Sequence, residues 1–92
     1  MQLVEYTIQT GNFAEIKRGL LQGTLNLLYS GMPSDNSFVL TPIVSEALLL
    51  QGFKFATSIF YRSDREKISM LGDEFRVLNV TPDEIKLHYV KL

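Results

Sequence analysis

Ninety-two residues, 46% of them apolar and 21% charged, suit one folded domain spanning 1–92 and exclude a disordered chain. Nine Lys and Arg against ten Asp and Glu leave a formal net charge of -1, far from the basic balance of a nucleic-acid-coating protein. Cysteine is absent, which removes disulfides, thiolate nucleophiles and Cys-based zinc sites and fits a reducing, cytoplasmic setting.

A chain this short buries only about 60–65% of the surface its unfolded form exposes. A partner or a second copy is therefore expected to share in its stability. The charge is nearly even along the chain: residues 1–51 hold two basic and four acidic groups, and residues 52–92 hold seven and six. "MQLVEYTIQTG" lacks a basic stretch ahead of an apolar core, so no secretion signal is expected. No apolar run approaches the ~20 residues of a membrane-spanning helix, so no membrane partner is expected.

Residues 2–9 read as a strand, with Val4, Tyr6 and Ile8 on one face and Glu5, Thr7 and Gln9 on the other. "TGN" ends it, and Asn12 with Glu15 has the spacing of a capping box. A helix is expected from Phe13 to about Ser30. Phe13, Ile16, Leu20, Leu27 and Leu28 form its apolar stripe, widened by Leu21 and Leu25, with Glu15, Arg18, Gln22 and Asn26 opposite. Lys17 falls inside that stripe and would snorkel. Gly19 and Gly23, one turn apart, would allow another element to approach closely.

"SGMPSDNS", residues 30–37, reads as a polar surface loop, and "FVL" as a brief strand. "TPIVSEALLLQG" reads as a second helix, with Thr41 as cap, Pro42 at its first position and Gly52 at its stop. It lacks a polar face, which points to burial in the fold or at an interface. "FKFATSIFYR" alternates as one strand, with Phe53, Phe55, Thr57, Ile59 and Tyr61 against Lys54, Ala56, Ser58, Phe60 and Arg62. "KISML", "FRVLNV" and "IKLHYVKL" follow as strands, the last two joined by the turn "TPDE". The expectation is an α+β fold: a mainly antiparallel sheet of four to five strands with two helices packed on one face.

Chemistry-bearing residues are sparse. His88 is the only histidine, so no multi-histidine metal centre can form. Asp73 with Glu74, and Asp83 with Glu84, sit in expected turns, where neighbouring carboxylates face water. No nucleophile elbow, phosphate loop or dinucleotide fingerprint occurs. No metal and no cofactor are expected, and a non-enzymatic role is favoured.

The leading expectation is a small regulatory protein that docks on a protein partner, either a second copy as a homodimer or a larger complex. Phe60, Tyr61, Arg62 and Arg65, in and beside the charged stretch "YRSDREK", are of the types that dominate binding interfaces. Alanine at Tyr61 and Arg65 is expected to weaken binding and leave the thermal midpoint nearly unchanged. A second expectation is single-stranded RNA or DNA on an open sheet face carrying Lys54, Phe60, Arg62 and Arg76. A third is a small hydrolase or acid–base enzyme in which Asp83 or Glu84 orients His88.

Overall fold

A computed structural model describes residues 2–19, 23–45, 54–70 and 72–91. These residues form nine strands and no helix. The four-stranded sheet has the order β1 (Gln2–Gln9), β9 (Glu84–Lys91), β8 (Asp73–Val80), β7 (Lys67–Met70). The five-stranded sheet runs β2 (Phe13–Gly19), β3 (Gly23–Ser34), β4 (Ser37–Ser45), β5 (Lys54–Ala56), with β6 (Ile59–Arg62) also paired to β4. All pairings are antiparallel. The two sheets pack face to face around one core. Ile8, Phe75, Ile85, Leu87 and Tyr89 come from one sheet, and Ile16, Leu25, Leu27, Tyr29, Phe38 and Leu40 from the other. The α+β expectation is thus corrected: a second sheet, not a pair of helices, covers the first.

The span 13–30 shows why. Two strands replace the expected helix, with Gly19 opposite Gly23 as the last described pair. These glycines face each other across two antiparallel strands instead of opening a helix flank. On β3, Leu25, Leu27 and Tyr29 are buried at alternate positions, the two-residue period of a strand. The capping-box spacing at Asn12 serves a turn, in which Asn12 N–H donates to Gln9 O at 2.9 Å. Gly11 takes φ 88° at the third position of that turn, where a side chain would be strained.

The expected loop over 30–37 shrinks to a turn at Asp35 and Asn36, since β3 runs on to Ser34 and β4 begins at Ser37. Of the expected second helix, residues 41–45 lie on β4, and 46–52 fall outside the described residues. The single strand expected over 53–62 is two strands, with a break at Thr57 and Ser58; Phe53 lies outside the described residues. The break has a cause. β4 pairs with β6 up to Leu40 and with β5 from Ile43, leaving Thr41 and Pro42 without a partner on that side. Proline has no N–H to give a ladder. The gap is bridged by side chains, Thr41 Oγ1 and Ser58 Oγ lying 3.0 Å apart.

β1, β7, β8 and β9 fall on expected strands, β8 beginning at Asp73 inside the expected turn, and β7–β8–β9 pair as an antiparallel meander. The strand expected over 53–62 does not join them but lies in the other sheet. At the turn "TPDE", Thr81 Oγ1 accepts from the Asp83 and Glu84 N–H groups at 3.2 and 3.0 Å. Tyr29 on the other sheet donates its hydroxyl to Thr81 O, and Gly11 N–H donates to Tyr29 O at 2.8 Å. One end of the sandwich is closed by these bonds.

Candidate interaction surface

Phe60 and Phe13 are the most exposed large apolar side chains among the described residues, at 68% and 65%. Both lie on the outer face of the five-stranded sheet, and the register connects them. Phe13 stands opposite Leu28 and Leu28 opposite Thr41. Val39, two residues along β4 from Thr41 and so on the same face, stands opposite Phe60. The stripe crosses four strands, about 14 Å at ~4.8 Å per strand. Val39 and Thr41 at its centre are 7% and 6% exposed, although they lie outside the inter-sheet core. Glu15, Asn26 and Arg62 sit on the same face and supply polar groups around it.

The four residues expected to bind a partner divide between two faces. Phe60 and Arg62 point outward from β6, and the exposed Arg62 is ion-paired to Asp64 at 2.9 Å. Tyr61, between them, points into the sandwich and stacks on Phe38 with ring centroids 5.4 Å apart. Its hydroxyl is buried and has no hydrogen-bond partner among the described residues. Burial pushes this phenol upward, partly offset by the Arg65 cation. Arg65 is exposed, and its N–H closes a turn onto Arg62 O at 3.1 Å. The stretch "YRSDREK" is thus an ordered connection. Ser63 N–H donates to Asn36 O at 2.8 Å, and Ser63 Oγ to Asp35 O at 3.1 Å, which seats it on the β3–β4 turn. A shallow polar cleft of about 360 Å³ is lined there by Asn36, Arg62, Ser63 and Asp64.

The residues expected to bind a nucleic acid do not share a face. Phe60 and Arg62 are on the five-stranded sheet, as is the backbone of Lys54 on β5, whereas Arg76 is on β8 of the other sheet. His88 lies on the outer face of the four-stranded sheet with Glu5 Oε1 3.4 Å from its Nε2. Glu84, four residues back along β9, is about 13 Å away by strand rise, and Asp83 lies one residue further. The structure therefore gives His88 a carboxylate neighbour that the sequence did not suggest, and neither of the two that it did. No group of three His, Asp or Glu side chains among the described residues could hold a metal ion.

A second polar cluster joins the sheets. Lys17, on the edge strand β2, follows a bulge between Glu15 and Lys17 that turns it inward beside the buried Ile16. Its Nζ lies 2.8 Å from Asp73 Oδ2 on the opposite sheet, an ion pair without an aligned hydrogen bond. Tyr89 donates its hydroxyl to Asp73 Oδ1 at 2.9 Å. Tyr6 nearby donates to Ile16 O at 3.2 Å. Burial first, and then the bond to Asp73, push Tyr89 from 10.0 up to about 12. The fold holds the neutral phenol, so this contribution is complete below pH ~10 and is lost as pH rises toward about 12. Absorbance titration of tyrosinate should therefore show a last ionisation coincident with unfolding. Tyr89→Phe should abolish that step, and its persistence in the variant would assign it elsewhere.

Phe13, Leu28 and Val39 were not expected on the outer face of a sheet, because Phe13 and Leu28 read as the stripe of a helix. The signal that could have found them is the apolar residue at nearly every position of "FVLTPIV". That is the mark of a strand buried on both faces. No protein-family model matches this chain, and comparisons with curated proteins and with solved structures return no match.

Proposed function

We propose that this chain acts as a small docking protein that receives a protein partner on the outer face of its five-stranded sheet. The observation that carries this reading is the stripe Phe13–Leu28–Val39–Phe60, with two phenylalanines about two-thirds exposed at its ends. Exposed aromatic anchors within a polar rim are the arrangement of binding interfaces. Arg62, beside Phe60, fits the rim, since its side chain is 80% exposed and pairs with the exposed Asp64. Tyr61 contributes indirectly, by holding β6 against Phe38.

The test is capture of partners from the native cell by the intact chain, identified by mass spectrometry and then measured as purified pairs. Serine at both Phe13 and Phe60 should weaken binding by about 10²–10³-fold, taking two anchor residues at ~2 kcal/mol each. The thermal midpoint should not fall, because neither ring is in the core. Equal binding by wild type and the double variant would reject this surface.

A further inference from the structure

Strand edges bound both sheets, and among the described residues all but one carry a feature that resists pairing with another chain. β7 has four residues and begins at the exposed Lys67. β2 is bulged, and Lys17 turns inward from it onto Asp73. β5 and β6 divide the remaining edge into pieces of three and four residues. Short strands, bulges and inward-pointing charges are the means by which sheets avoid edge-to-edge association. β1 has none of them. It runs eight residues in unbroken register with β9, from Gln2↔Lys91 to Gln9↔Glu84, with no proline and a single charge, Glu5. Among the described residues no strand pairs along its other side.

We propose that β1 pairs antiparallel with β1 of a second copy of this chain, joining two four-stranded sheets into one of eight strands. Register and charge select this occupant. A two-fold axis normal to the sheet keeps inner face with inner face, so facing residues have the same parity. Two registers then give the longest overlap within Gln2–Gln9. One is centred on Glu5 and sets the two carboxylates directly opposite each other, which is unfavourable. The other is centred on Tyr6 and sets Glu5 opposite Thr7 of the second copy, twice per dimer. On its inner face Val4 meets Ile8 and Tyr6 meets Tyr6, so the half-buried Val4 and Tyr6 gain cover and the apolar layer continues across the join.

Sedimentation equilibrium of the full chain tests this, using substitutions at the exposed Thr7 and Glu5. Thr7→Glu places like charges opposite Glu5 and should weaken the dimer by about 2- to 30-fold, while Thr7→Lys should tighten it by a similar factor. Glu5→Lys combined with Thr7→Glu should restore the attraction and the association. A chain that stays monomeric up to millimolar concentration overturns the proposal, and so does a dimer indifferent to both Thr7 substitutions. Phe60→Ser should leave this dimer intact. Loss of the dimer through Phe60 would move the contact to the five-stranded sheet and overturn the β1 pairing, without touching the case for partner docking there.

Discussion

Alanine at Tyr61 is expected to lower the thermal midpoint by roughly 10–25 °C, and phenylalanine at the same position to raise it. The ring packs on Phe38, which is fully buried, and against the core from its edge. Truncating a large aromatic in such a place costs about 2–4 kcal/mol, toward the lower end of the range for core aromatics because Tyr61 is only part-buried. In a domain of this size each kcal/mol moves the midpoint by about 4–8 °C. The hydroxyl works in the opposite direction. It is buried with no hydrogen-bond partner among the described residues, so Tyr61→Phe should gain about 1 kcal/mol. Arg65→Ala, at an exposed position, should stay within about 0.5 kcal/mol of wild type. Thermal melts of the three variants check this directly. From sequence, Tyr61→Ala was expected to leave the midpoint nearly unchanged, so a wild-type-like melt would return Tyr61 to the surface.

Asp73→Ala should cost about 2–3 kcal/mol, measured as a lower urea midpoint with an unchanged slope. Asp73 links three strands, taking Lys17 from β2 and the Tyr89 hydroxyl from β9 onto one carboxylate at the start of β8. Its side chain is 12% exposed, so the carboxylate is largely withdrawn from water, while that of Lys17 is 51% exposed. Breaking a fully buried pair costs about 3–5 kcal/mol, and the exposure of Lys17 reduces that because its ammonium can return to solvent. The remaining loss comes from the stranded Tyr89 hydroxyl. Asp73→Asn keeps an acceptor for Tyr89 and should lose less than alanine does. Equal losses for the two variants would show that the hydrogen bond to Tyr89 carries no weight. Sequence alone read Asp73 as a solvated turn residue, since nothing local reveals that a lysine 56 positions earlier faces it from the other sheet.

The same physics separates what could be read along the chain from what could not. In the second half, "KISML", "FRVLNV" and "IKLHYVKL" expose one face of their sheet to water, so apolar and polar residues alternate and the strands are legible. Strand β1 is legible for that reason too. On β2, β3 and β4 the outer face carries Phe13, Leu28 and Val39 beside its polar residues, and the alternation is blurred. Phe13, Leu28 and Val39 fill positions that polar residues would take in a one-sided sheet, and the resulting pattern fits a helical stripe as well as it fits two strands. The outer stripe that suggests a docking surface is therefore what concealed the fold.

The sequence by itself determined the sparse chemistry, the near-neutral charge, the strand β1 with its two faces, and the strands β7, β8 and β9. These depend on composition and on contacts between near neighbours. Only the tertiary structure decided that β2 and β3 pair antiparallel in place of a helix, that Pro42 interrupts the ladder beside them, that Tyr61 turns inward while Phe60 and Arg62 turn outward, and that Lys17 and Asp73 meet. Each of these is settled by a partner strand far away in sequence: a short apolar run takes its conformation and its buried face from what packs against it.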